Sequence, residues 1–268
     1  MTELFGSRYI YCDVPQVVSA LPRIAELELG VEILFESSED LWPQVRWENL
    51  LDLADAVADA GVEATVHGPF DNLNLGSRDG HIRRYSLEAL SAAVEFARAV
   101  RSPRMVFHTG YLPQYPPQGR RRWLDIFSQG LSELLEHATD LEVRLAVENT
   151  YEPDPSLFEE IFERFPTPAL GMCLDTGHAA CFGRVEPVVW SRRFSDRICH
   201  VHLSDNDGRD DLHLGLGQGV VDFRAVLAPL LRVESASGIT LEVSAEDAQA
   251  SRDYLNNLLQ TMSTQGEP

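Results

Sequence analysis

Two hydrophobic periods alternate along this chain. Short apolar runs at residues 5–12, 30–35 (GVEILF), 63–67 (EATVH), 104–108 (RMVFH), 144–148 (RLAVE), 169–175 (ALGMCLD), 198–203 and 239–243 (ITLEV) have the length and composition of strands. Between them, apolar positions recur at helical spacing over 14–29, 47–60, 82–100, 121–138, 156–165, 186–194, 222–231 and 248–262. Gly61 supplies a helix stop and Asp222 a helix N-cap. Residues 262–268 read as a flexible tail. Strict alternation of strand and helix predicts parallel strands joined by crossover helices. Eight such units in 268 residues predict an α/β fold, a single (β/α)8 barrel domain spanning 1–268. No glycine-rich dinucleotide fingerprint follows the first strand, and no linker divides the chain.

Composition narrows the chemistry. The chain has 22 basic residues, all arginine, against 42 acidic ones, for a net charge of −20. That field disfavours nucleic acid and anionic membrane surfaces as partners. Without lysine there is no Schiff-base or lysine-base mechanism. Cys12, Cys173, Cys181 and Cys199 have no CxxC spacing and read as free thiols of a reducing compartment. The opening MTELFGSRYIY is not patterned as a secretory signal, and no apolar run is long enough to span a bilayer; the cytoplasm is the expected location.

The strand ends carry the chemistry. The third run ends in His67 and the fourth in His108. The fifth ends in Glu148 and the sixth in Asp175, with His178 three residues on. The seventh contains His202 and leads to Asp211 and His213; the eighth holds Glu242. The C-terminal ends of barrel strands are where active sites are built. Mixed imidazole and carboxylate groups converging there predict a divalent metal centre, suited to Zn, Mn or Co. Asp205, Asp207 and Asp210 add to the acidic loop after the seventh run, and His200 shares a strand face with His202.

The segments HGPFDNLNLGS (67–77), FHTG (107–110), VENT (147–150), GMCLDTGH (171–178), HVHLSDNDG (200–208) with D-x-H-x-G-x-G-x-G after it, and LEV (241–243) resemble the xylose-isomerase-like barrel superfamily. That superfamily includes sugar phosphate isomerases and epimerases and the endonuclease IV class of apurinic endonucleases. The resemblance implies one of two sites. In the epimerase pattern one metal is held by residues matching Glu148, Asp175, His202 and Glu242, the two glutamates also move the substrate proton, and His178 touches substrate. In the endonuclease pattern three zinc ions use residues matching His67, His108, Glu148, Asp175, His178, His202, Asp211, His213 and Glu242, all present here.

The chain departs from the endonuclease pattern in an acidic stretch after the second run, Glu36-Ser-Ser-Glu-Asp, and in Gly177 and Phe70, where those enzymes usually have Cys and Tyr. The reading that follows is a metal-dependent isomerase or epimerase of a small sugar or sugar phosphate, with one to three divalent ions and Glu148 and Glu242 as the acid–base pair. The alternative is a zinc phosphodiesterase of the endonuclease IV type. The Arg120–Arg122 run either holds a substrate anion, with Arg122 the candidate, or is the basic start of a surface helix; Trp42 and Trp123 either stack on a sugar ring or, as ordinary loop residues, pack onto the core; Asn149 and Thr150 are expected to orient Glu148. A homodimer is left open.

Overall fold

The computed structural model describes residues 6–41, 47–232 and 238–265. Eight strands, β1 (Ser7–Asp13), β2 (Gly30–Leu34), β3 (Ala64–His67), β4 (Arg104–His108), β5 (Arg144–Glu148), β6 (Leu170–Asp175), β7 (Ile198–Leu203) and β8 (Gly238–Leu241), pair in sequence order, and β8 closes on β1. Every pairing is parallel. This is the barrel that the alternation predicted.

Helices cover the outside: α1 (Val17–Glu26), α2 (Trp47–Asp59), α3 (Gly80–Ala99), α4 (Pro117–Asp140), α5 (Ser156–Arg164), α6 (Thr176–Cys181), α7 (Pro187–Arg193), α8 (Phe223–Leu227) and α9 (Ala248–Gln265). Their apolar faces meet the outward strand residues in one continuous core, with Phe96, Phe107, Phe127, Phe158, Trp190 and Phe223 fully buried in it. A second, separate apolar cluster of Val106, Ala146, Cys173 and Cys199 joins β4 to β7.

Local chemistry moves several boundaries from expectation. Helix α4 starts at Pro117, because proline costs nothing in a first turn where no N–H partner exists. Helix α3 starts at Gly80, since the Asp79 carboxylate accepts from the His81 amide at 2.8 Å. Asp222 caps α8 as expected, accepting from the Ala225 amide at 2.9 Å, but the helix ends at Leu227 and gives way to a 3-10 turn at Leu230–Arg232. Helix α6 was not expected. The proposed tail is helical through Gln265; 266–268, like Phe5 and Trp42, lie outside the described residues. Among the described residues no helix is long and apolar enough to cross a membrane.

Candidate active site

The parallel barrel brings the strand ends to one face, and seven of the nine expected residues line a cavity of about 680 Å³ there: His67, His108, Glu148, His178, Asp211, His213 and Glu242. Asp175 and His202 lie beneath them, almost wholly buried. Glu148 is the hub. Its Oε2 lies 3.0 Å from His67 Nε2, 3.4 Å from His108 Nε2 and 3.5 Å from His202 Nδ1. Its Oε1 lies 3.1 Å from His178 Nδ1. His202 Nδ1 is also 3.0 Å from Glu242 Oε1 and 3.8 Å from Asp175 Oδ2. Asp211 Oδ2 is 3.2 Å from both His178 Nε2 and His213 Nε2.

The ring partners fix where the imidazole protons sit. His67 Nδ1 donates to the Gly68 carbonyl at 2.8 Å, His178 Nδ1 to the Asn149 carbonyl at 3.0 Å, and His213 Nδ1 to the Glu242 carbonyl at 3.0 Å. His202 turns Nε2 to Glu32 Oε1 at 2.8 Å. In each ring the other nitrogen then faces a carboxylate. A neutral imidazole would set lone pair against lone pair, so either the ring is protonated or a cation lies between the two. Both ring nitrogens of His202, with Glu32 Oε1 and Asp211 Oδ1, are buried without a hydrogen-bond partner, which is costly unless something else satisfies them. The donor set therefore fits a divalent ion. His67, Glu148 and His202, and then Asp175, His202 and Glu242, each bring three ligand atoms close enough to share one.

The same crowding moves the ionisations. Burial raises Glu148 and Glu242, but the facing histidines, His202 first, more than offset it and hold both low. Burial pushes Asp175 up to about 8, against the pull of His178 and with the charge of Glu242 adding to the rise. Burial works against charging His178 and His202, yet the carboxylates around them raise both well above the usual histidine range. His213 is pushed up to about 9, chiefly by its hydrogen bond to Asp211. Its backbone is left-handed, with φ of 49°, a conformation few side chains adopt without local constraint.

The xylose isomerase-like TIM barrel family model matches residues 26–258. The chain belongs to that family. MJ1311, an uncharacterised protein of Methanocaldococcus jannaschii, is 31% identical over 255 residues, covering 91% of this chain and 85% of that one. The TTHB071 protein of Thermus thermophilus, solved after soaking with ZnCl2, superposes with a TM-score of 0.79 at 30% identity, covering 98% of this chain and 100% of that one. A D-tagatose 3-epimerase-like protein superposes with a TM-score of 0.82 at 28% identity, covering 97% and 100%. Curated sugar 3-epimerases are among the more distant relatives.

Within this xylose isomerase-like barrel, some expected roles fall elsewhere. Arg122 is exposed on α4 and is not part of the cavity lining, while its neighbour Arg120 is paired with Glu160. An arginine triplet on a helix points in several directions, so spacing alone could not aim it. Asn149 holds Asp175 rather than Glu148: its Oδ1 accepts from the Asp175 amide at 2.9 Å and its Nδ2 donates to the Asp175 carbonyl at 3.0 Å. The Thr150 amide donates to buried Glu152 at 2.7 Å. Trp123 is buried and stacked on Phe127, and its Nε1 donates to Asn74, a cavity residue, at 2.9 Å.

Asp205 is used up by its own loop, accepting from the amides of Gly217 at 3.0 Å, Gly219 at 2.8 Å and Val221 at 3.0 Å. Asp207 and Asp210 are exposed. At Gly177 a Cβ would run into Ser204 Oγ, so a larger residue there would have to displace it. The sequence reading missed Glu32 altogether. Its signal was a lone acid on the inward face of the apolar run GVEILF.

Proposed function

We propose that this chain is a divalent-metal-dependent sugar isomerase or epimerase. The observation that carries the reading is the placement of Glu148 and Glu242 on β5 and just beyond β8. Both are buried and held ionised, and both lie within 3.5 Å of the same His202 nitrogen, at the floor of a cavity sized for a small ligand. Kinship with proteins named as sugar 3-epimerases supports it.

Glu148, Asp175, His202 and Glu242 would hold the ion, and it would supply Lewis-acid polarisation of a substrate carbonyl and its neighbouring hydroxyl. One glutamate removes the proton from the carbon next to the carbonyl. The other returns a proton to that carbon from its own side, which inverts the centre. Ionised carboxylates are ready bases, and each becomes an acid once it has accepted the proton. Tyr11, Phe70, Tyr111, Tyr151 and Phe182 line the rest of the cavity and exclude water from the reacting carbon. A cytoplasmic site of action, one domain and a sugar or sugar phosphate substrate belong to the same proposal.

The surplus donors His67, His108, Asp211 and His213 favour a second reading, a phosphodiesterase with two or three ions. The net charge of −20 and the absence of arginine from the cavity lining among the described residues weigh against a duplex substrate. The deciding test incubates the metal-loaded enzyme with a panel of keto sugars in deuterated water. Deuterium entering the carbon beside the carbonyl is expected. No exchange with any ketose, together with cleavage of an abasic duplex, overturns the isomerase reading.

A further inference from the structure

We propose that Glu32 is the positioning residue of the metal centre, and that it acts through a buried polar chain reaching from Arg104 to His202. This rests on the metal-dependent reading above and extends it into the middle of the barrel, where no substrate reaches.

The chain is directional. Arg104 Nη1 lies 3.0 Å from His200 Nδ1, and because a guanidinium can only donate, that nitrogen must be the acceptor. His200 therefore carries its proton on Nε2, which is 2.8 Å from Glu32 Oε2. The Thr240 hydroxyl donates to the same oxygen at 2.6 Å. Glu32 Oε1 lies 2.8 Å from His202 Nε2, a close ion-pair contact without hydrogen-bond geometry, and the carboxylate there favours the His202 proton on Nε2, which leaves Nδ1 facing Glu148, Asp175 and Glu242.

Among the four rings described above, His202 alone sets a carboxylate, in close contact, against its second nitrogen; His67, His178 and His213 hydrogen-bond backbone carbonyls there. A carboxylate partner both fixes the tautomer and makes the imidazole a better ligand. The fold makes room for the chain. A Cβ on Gly238, at the foot of β8, would collide with Arg104 Nη1 and crowd the His200 ring. Glu32, His200, His202 and Thr240 are all buried to within 1% exposure, so water cannot substitute for a missing partner.

Glu32→Gln exposes the logic, because an amide cannot accept on both sides. With its oxygen toward His202, its NH2 meets His200 and Thr240, and His200 must turn a proton toward the Arg104 cation. With its NH2 toward His202, the His202 proton is driven onto Nδ1, the nitrogen the metal needs.

The test is the affinity of purified metal-free protein for Zn(II) and Mn(II), measured by competition with a chromogenic chelator, with folding checked by circular dichroism. Glu32→Gln is expected to bind about 10–100-fold more weakly, while Glu32→Asp, which keeps the charge, recovers part of the loss. A folded Glu32→Gln with wild-type affinity overturns the proposal, whatever its thermal stability. If Glu32→Gln does not fold, Thr240→Val decides: several-fold weaker binding supports the proposal, and unchanged binding overturns it. Wild-type protein that binds neither ion overturns the metal-dependent reading itself, a result distinct from equal binding by wild type and variant.

Discussion

His67 Nε2 lies 3.0 Å from Glu148 Oε2 while the other nitrogen of that ring is committed to the Gly68 carbonyl. The pair can exist only with a proton or a cation between its atoms, so protons and metal compete for the site. Asp175 is pushed up to about 8, His213 up to about 9 and His178 and His202 well above the usual histidine range, so in the metal-free protein these groups hold protons at neutral pH, and His67 is shifted the same way. Metal binding must displace them. Affinity for Zn(II) is expected to rise with pH through neutrality, as Asp175, at about 8, and the raised His202 give up their protons to the ion. Calorimetry in buffers of different ionisation enthalpy counts the protons released; pH-independent affinity with no release would refute this.

The His213–Asp211 contact also links pH to stability. The folded pKa of His213, about 9, lies above its unfolded value of about 6.5. Its contribution to the metal-free protein is therefore fully present below pH 6.5 and is lost as pH rises through about 9. Asp211→Asn removes the cause. The His213 ring should then titrate nearer the ordinary histidine value, as read by NMR, and that alkaline loss of stability should shrink. An unmoved titration would show that the contact does not form in solution.

Asp211 also separates the two enzyme readings. If the metal-dependent isomerase reading holds, the ion of Glu148, Asp175, His202 and Glu242 does not need it. Asp211→Asn should then keep one tightly bound ion per chain, counted by elemental analysis after dialysis. Loss of an ion relative to a wild type carrying two or three would favour the phosphodiesterase.

The acid–base pair is tested by Glu242→Gln. It keeps the shape of the side chain but cannot accept a proton. The expected fall in kcat is about 10²–10⁴-fold, with KM much less affected. Solvent deuterium exchange should fall in parallel. Full exchange in the variant would remove Glu242 from the mechanism.

Phe158 sits fully buried in the outer core, edge-on to Trp190 with ring centroids 5.5 Å apart. Phe158→Ala should destabilise the barrel by about 3–5 kcal/mol. The denaturation midpoint should shift without a change in slope. A shift near zero would mean the neighbouring rings collapse into the space.

The sequence by itself determined the barrel and most of the candidate site. Strand and helix periods differ, so their alternation is visible without contacts, and in a parallel barrel each strand's last residue reaches the same face. His67, His108, Glu148, Asp175 and His202 could therefore be placed together from their positions at strand ends alone. Tertiary structure decided what lies beside what around the barrel. Glu32 and His200 are 168 residues apart in sequence and in contact in space. Asn149 turned to Asp175 on the next strand instead of to its own neighbour Glu148. Arg122 was carried to the outside by the rotation of α4. Those outcomes depend on the lateral closure of the sheet and on helix phase. Periodicity along one chain fixes which face a residue takes on its own element, but not which remote side chain fills the space opposite it.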